Sequence, residues 1–338
     1  MRGTTFALSL LLLAGASGAT ETAVTPSIVT VDNFVRAETD VTFARTVAEG
    51  ALGTLRHTRE MTAVEHQKII RMNRDTLYSS GVFDLATPVI IHKPDPGQRF
   101  QSMLVISQDH SMLPVEHGGG TFELTQARVG TRYAMVVFRT FANPDDPQDM
   151  AAAHALQDRI RIEQASAGGF EVPAWDEASL AKIRDAINVL AASRTSTTPL
   201  FGDKAKLNPL DHLMGTAFGW GGNPPQAAMY DGVTPGRNDG STPYVLNVRD
   251  VPVDGFWSVT VYNEKGFLEP NPFGRYSVNN VTAKPDSDGG YAIRFGGDPK
   301  APNFLPIMPG WNYTVRMYRP RDALLTGAWK FPAAEPAR

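Results

Sequence analysis

The chain has 338 residues, of which 42% are hydrophobic and 20% charged, with a formal net charge of −3. That length supplies two or three domains with ample core, and the small acidic excess argues against a nucleic-acid-binding surface. Cysteine is absent, which excludes disulfides, thiolate metal sites, cysteine nucleophiles and a lipoprotein anchor.

Residues 1–19 read as a signal peptide. Arg2 is the basic start, Phe6 to Ala14 the apolar stretch, and Ser17-Gly18-Ala19 places small residues before a cleavage point after Ala19. Cleavage would leave 35 acidic against 31 basic residues. Nothing later in the chain approaches the roughly 18 apolar residues of a membrane span. The mature chain is therefore expected to carry no span, to be periplasmic or secreted, and to rely on packing for stability.

Residues 31–66 predict an N-terminal helical segment, with Phe34, Ala37, Val41, Ala44, Val47, Ala48 and Leu52 recurring three and four apart. Asp32 is the expected cap, and Gly50 and Gly53 end or bend the pattern. Residues 67–142 change to period two. Ser102–Ser107 and Arg132–Phe138 are β-rich runs, and Pro94-Asp95-Pro96-Gly97 and Gly118-Gly119-Gly120 are turns, which together predict a small β-sandwich.

Residues 143–242 predict a helical segment followed by a Gly/Pro-rich connection. Asp145-Asp146-Pro147 opens one helix. A second covers 176–193, capped by Asp176, with Leu180, Ile183, Ile187 and Leu190 as its buried stripe. Gly219 to Pro225 and Asn238-Asp239-Gly240 are loop-rich. From 243 to 334 the chain is β again, and the alternation in Trp257–Tyr262 and Tyr313–Tyr318 predicts a second sandwich, a jelly roll.

Long motifs then suggest kinship. His57-Thr58-Arg59-Glu60, continuing through Ile70-Arg71-Met72-Asn73-Arg74-Asp75-Thr76-Leu77-Tyr78, resembles the domain of unknown function 1254. Val253 to Tyr262, Tyr276-Ser277-Val278-Asn279-Asn280 and Pro309 to Arg316 resemble its usual companion, the domain of unknown function 1214. The resemblance runs from about 31 to 334 and is to the short, exported form of the pair. It implies a multidomain α and β fold: an immunoglobulin-like β-sandwich, an all-helical segment and a C-terminal jelly roll. It brings no established reaction and no cofactor, so no catalytic residue is carried over.

The candidate site residues rest on chemistry alone. Arg74 could clamp a carboxylate or sulfate beside Asn73, and Asp75 and Tyr78 could transfer protons. Structurally, Arg74 and Asp75 could instead pair with other segments, Arg74 or Arg71 being the expected partner of Asp75, and lock the helix onto the sandwich. Asp109-His110 follows a strand end, where Asp109 could fix the His110 tautomer for general base work. The metal alternative uses His110 and His117 but lacks a third ligand at local spacing. Asp211-His212 reads as a cap and a packed imidazole, and His92 and His154 read as packing residues. The segment from Gly219 to Pro225 is no phosphate loop; it connects domains, and Trp220 could line a cleft there.

The expected function is binding of a small polar or saccharide-like envelope ligand between two β-domains, without cofactor, metal or nucleic acid. The alternative is a hydrolase or lyase on a saccharide or ester, its acid–base set being Asp75, Tyr78, Asp109 and His110.

Overall fold

The computed structural model of the chain describes residues 25–67, 70–194 and 199–337, apart from the His66 side chain. The expected signal peptide, its cleavage point and Ile69 lie outside the described residues. Helix α1 (Phe34–Ala48) is followed by β1 (Arg56–His57), β2 (Thr76–Asp84), β3 (Val89–Lys93), β4 (Gln101–Ser107), β5 (Gly120–Leu124), α2 (Gln126–Val129) and β6 (Tyr133–Phe141). Next come α3 (Pro147–Asp158), β7 (Arg161–Gln164), α4 (Glu177–Ala192) and α5 (Pro209–Gly219). The last third holds β8 (Ala228–Val233), β9 (Tyr244–Val248), β10 (Trp257–Tyr262), β11 (Ser277–Asn279), β12 (Tyr291–Phe295), β13 (Phe304–Leu305), β14 (Asn312–Tyr318), α6 (Asp322–Leu325) and β15 (Glu335–Pro336). No helix among the described residues is long and apolar enough to cross a membrane.

The chain is thus mostly antiparallel β-sheet with a few helices, in two β-regions. In the first, sheet β1-β2-β6-β4 faces sheet β5-β3-β7. Phe83, Met103, Val136 and Phe138 of the former pack on Val89, Ile91 and Leu124 of the latter. The opposite face of the first sheet packs Val82, Leu104, Ile106, Met135 and Val137 against Phe43 of α1. Burial on both faces explains the nearly unbroken apolar runs of β4 and β6. In the second region, sheet β11-β10-β14-β8 faces sheet β13-β12-β9-β15 across Val259, Val261, Tyr313, Val315, Ile293, Phe295 and Trp311.

Alternation along β10 and β14 sends Ser258, Thr260, Tyr262, Thr314, Arg316 and Tyr318 to the face away from that core. All six are nonetheless buried. The segment before β2 covers them: Tyr262 donates to the Met72 carbonyl at 2.9 Å, and Arg316 Nη2 donates to the Arg71 carbonyl at 2.8 Å. The two β-regions therefore meet across a polar layer.

Several expectations need correction. The N-terminal helix stops at Ala48 rather than near 66. Gly50 has φ 86°, which reverses the chain, and β1 then pairs with β2. Asn33, not Asp32, occupies the N-cap, and its carboxamide oxygen accepts from Thr30 N instead of capping. β7, within the stretch expected to be helical, pairs with β3. In α4, Asp176 caps as expected by accepting from Ser179 N. Its buried stripe runs through Leu180, Ile183, Ile187 and Ala191, which leaves Leu190 57% exposed. The face continues at i+4 from Ile187, and i+3 falls beyond its edge.

Gly81 marks the tightest point between β2 and the chain after α1. A Cβ there would lie 1.9 Å from the Thr54 carbonyl oxygen. Backbone cannot step aside as a flexible side chain can, so Gly81→Ala is expected to destabilise the fold by about 1–3 kcal/mol. The denaturant midpoint measures this, and an unchanged midpoint contradicts it.

Candidate functional site

A cleft of about 650 Å³ opens where residues 60–65, Arg74, the start of α3 and the turn before β11 come together. Glu60, Glu65, Arg74, His154 and Tyr276 give it polar and aromatic character, with Met61 among its apolar walls. The Arg74 guanidinium carbon sits 4.9 Å from the Tyr276 ring centre. Its one hydrogen bond among the described residues goes to the Thr62 carbonyl. Most of its N–H groups thus remain free for a ligand. Tyr276 is held from below, because its carbonyl accepts from Val261 N at 3.0 Å.

His154 enters from α3, whose start is fixed by Asp146 accepting from Gln148 N and Asp149 N. Its Nε2 lies 2.8 Å from the Arg59 carbonyl, so Nε2 carries the proton. Nδ1 has no partner among the described residues and keeps its lone pair.

Asp75, beside Arg74 in sequence, turns away from this cleft into the polar layer. Its carboxylate is 1% exposed and accepts from Ser258 Oγ at 2.6 Å and Ser277 Oγ at 3.0 Å. The expected arginine partner, Arg71 or Arg74, is replaced by Arg316, which acts through hydroxyls. Arg316 Nη1 donates to Thr260 Oγ1 at 3.1 Å, Thr260 Oγ1 lies 3.1 Å from Ser277 Oγ, and Ser277 donates to Asp75. Burial opposes the Arg316 charge, but Tyr262, Tyr318 and Asp75 outweigh it and hold the guanidinium protonated. Asn73 ties the same layer, its Nδ2 donating to Tyr318 Oη at 3.0 Å and its Oδ1 accepting from the Asp75 amide at 2.8 Å.

Tyr78 lies opposite Arg139 on β6, with the Arg139 guanidinium 5.7 Å from its ring. Arg139 is buried and donates to Asn223 Oδ1 at 3.0 Å and to the Gly221 carbonyl at 2.8 Å. Gly221 N in turn donates to His110 Nε2 at 3.0 Å. His110 is fully packed, stacked 5.4 Å from Trp220 and 5.8 Å from His212. Its Nδ1 lies 2.8 Å from Thr216 Oγ1, whose own proton goes to the His212 carbonyl. Hence Nδ1 carries the ring proton. Burial, then the nearby His212, pushes the His110 pKa down to about 3.

The pairing expected between Asp109 and His110 is absent. Asp109 instead binds Arg36 and Lys204, and these outweigh partial burial to keep its carboxyl below the usual range. The reason is the backbone: His110 has φ 52°, which turns its side chain inward from a tight bend while Asp109 faces α1 and the 204 turn. Both His110 nitrogens are occupied, so the imidazole pins the 107–112 bend to α5 and to the Gly-rich connection. Trp220 likewise packs, its Nε1 donating to Thr39 Oγ1 at 3.0 Å. His117 lies apart, its ring 5.6 Å from Phe100, and no group of three metal-ligating residues occurs among the described residues.

Of the residues singled out in the sequence, the structure joins Asn73 and Asp75 in the interdomain layer and Tyr78, His110 and Trp220 around Arg139 and Gly221. Arg74 alone lines the cleft. Glu60, His154 and Tyr276 were missed there, and Arg139 and Arg316 in the layer. One signal was available for Arg316: an arginine alternating with Val315 and Met317 in an apolar strand requires a buried partner.

Comparison with known proteins agrees with this layout. The family described as Protein of unknown function (DUF1254) matches residues 52–164, and that described as Protein of unknown function (DUF1214) matches 231–322. The first match ends at the last residue of β7. No curated protein matches the chain. Among solved structures, the VPA0106 protein of Vibrio parahaemolyticus is similar, with 21% identity and a TM-score of 0.67 over 91% of this chain and 98% of that one. An uncharacterized protein from Burkholderia cenocepacia is 15% identical, with a TM-score of 0.52 over 91% of this chain and 88% of that one. Both likenesses concern the fold. With both domains matched in order, the chain belongs to the family that pairs DUF1254 with DUF1214.

Proposed function

We propose that this protein binds a small saccharide-like ligand, outside the cytoplasm, in the cleft shared by its two β-regions. The observation that carries the reading is Arg74 of the first region lying over Tyr276 of the second, in a cleft also lined by Glu60 and Glu65. Sugars offer C–H faces to aromatic rings and hydroxyls to carboxylates and guanidinium groups, which is the chemistry of this lining. The proposal includes the finer fold, an immunoglobulin-like first region and a jelly-roll second, supported by the two-sheet build of each.

Calorimetry of the purified chain against neutral and acidic oligosaccharides tests it. Saturable binding is expected, weakened about tenfold, roughly 1.4 kcal/mol, by Tyr276→Ala or Arg74→Ala. Absence of binding across the panel, or unchanged affinity in both variants, counts against it. The hydrolase or lyase alternative would draw on His154, whose Nδ1 is unpartnered at the cleft, rather than on His110. Chromatography of the recovered saccharide separates binding from turnover.

A further inference from the structure

The cleft of about 650 Å³ is larger than one sugar ring fills, and its lining from the second β-region is supplied by Gly274 and Tyr276. The turn that carries them follows from its residues. Asn271-Pro272-Phe273-Gly274 has the asparagine, proline and glycine that a type I β-turn favours at its first, second and fourth positions. Gly274 N donates to the Asn271 carbonyl at 3.2 Å and closes the turn. Asn271 Oδ1 accepts from Phe273 N at 3.1 Å and from Arg275 N at 3.3 Å. Asn271 Nδ2 donates to the Glu269 carbonyl at 3.3 Å and to the Arg275 carbonyl at 3.0 Å. That side chain is thus spent on holding the turn in one shape. A Cβ built at Gly274 would meet no atom within 4 Å, so the turn meets the cleft at an open edge.

Phe273 is the member of the turn that folding does not account for. Turn positions ordinarily go to small or polar residues, each for a conformational reason that phenylalanine does not supply. Here the residue is 46% exposed. Its one ring contact among the described residues is with Phe304, the ring centres 5.3 Å apart and the planes at 82°. That contact orients the ring without burying it. A single exposed phenylalanine on an ordinary surface needs no explanation. This one directly precedes a residue of the cleft lining, stands three residues from Tyr276, and sits on a turn with little freedom to move.

We infer that the ligand of this cleft is an oligosaccharide rather than a single sugar, with an inner ring held at Arg74 and Tyr276 and an outer ring stacked on Phe273; the inference rests on the saccharide reading of the cleft. Three residues of chain span at most roughly 10 Å, about the length of two linked sugar rings. A sugar ring laid on Phe273 removes apolar C–H surface and an exposed benzyl group from water together. Because the turn is already fixed, little ordering cost is left to oppose that contact. Phe273 is therefore a specificity residue, which reads the length of the ligand.

Titration calorimetry of the full chain against two length series tests this: N-acetylglucosamine with its β-1,4-linked dimer, trimer and tetramer, and glucose with the corresponding β-1,4-linked glucans. Affinity is expected to rise about tenfold or more from monomer to tetramer in at least one series. Phe273→Ala is expected to weaken the tetramer about tenfold and the monomer much less, whereas Tyr276→Ala weakens both. Phe273→Tyr keeps the ring and is expected to keep the tetramer affinity. Phe218→Ala, which removes another exposed ring outside the lining, should change neither. Because Phe273 is half exposed, its alanine variant is expected to fold with an unfolding midpoint in the range of surface substitutions. No gain with length, or an unchanged tetramer affinity in Phe273→Ala, overturns the inference while saccharide binding at Arg74 and Tyr276 stands. No saturable binding of either series defeats the reading of the cleft and the inference together.

Discussion

Asp75→Ala is expected to destabilise the protein by about 3–5 kcal/mol, the cost of leaving one member of a buried charge pair alone. The carboxylate is 1% exposed, and its two hydrogen bonds come from Ser258 and Ser277 of the second β-region. Its loss would leave two buried hydroxyls short of an acceptor and Arg316 without its counter-charge. Among the described residues Arg316 has no carboxylate in direct contact; the charges communicate through Thr260 and Ser277. A double-mutant cycle therefore distinguishes the relay from independent packing. Arg316→Met alone should cost a similar amount, and the double variant should cost clearly less than the two single losses combined. Additive losses would mean that Asp75 and Arg316 do not neutralise each other. Because the network spans both β-regions, protease sensitivity of the 219–225 connection should rise in the single variants. A change under about 1 kcal/mol in Asp75→Ala, within the ordinary range of surface substitutions, would show that the layer is wet.

The sequence made the β-regions legible where alternation was clean. Trp257–Tyr262 is β10 from end to end, and Tyr313–Tyr318 falls one residue short of β14. The cap at Asp176 was legible because a carboxylate at a helix start has one local use, and the opening of α3 at Asp145-Asp146-Pro147 because acids and an early proline favour a helix start. What failed was long-range. Nothing local shows that residues 56–57 add a strand to β2, or that β7 returns to β3 from 69 residues beyond its own partner at His92. The site failed for a related reason. Asp109 and His110 are neighbours in sequence, and adjacency suggested a working pair. A left-handed backbone at His110 separated them, and that torsion has no signature in an Asp-His dipeptide. Arg74 and Asp75 are likewise adjacent but point to opposite sides, one into the cleft and one into the interdomain layer. Alternation predicts that divergence once the segment is read as extended chain. His154 carried no signal, because its value rests on the neighbouring Arg59 carbonyl fixing its tautomer.

Lowering the pH from 7 to 5 is expected to cost the protein about 2 kcal/mol from His110 alone. The ring is neutral in the folded chain, with Nε2 accepting from Gly221 N and Nδ1 donating to Thr216. Its pKa is pushed to about 3, first by burial and then by His212. The unfolded imidazole takes up its proton near 6.5, so the unfolded state binds more protons throughout the interval between the two values. A depressed histidine pKa thus gives stability that is complete above about 6.5 and drains as the pH falls toward 3. His117, pushed to about 4 by burial with Arg319 and Lys93 adding, acts with the same sign but a smaller share, since its ring is partly open to solvent. His212 and His57 are also lowered, burial being the main cause in each. Asp84, Asp109 and Asp149 act at lower pH, because their folded pKa values lie below the ordinary 3.8 and they stay ionised at pH 5. The histidines are therefore expected to dominate the pH 5–7 window. Urea unfolding at a series of pH values reads the slope. His110→Gln, which retains a donor and an acceptor but cannot charge, should be less stable at pH 7 and lose stability more slowly on acidification. A wild-type midpoint that does not move between pH 7 and 5 would mean that His110 takes up its proton in the folded chain, and that the pin between the 107–112 bend and Gly221 is open to water.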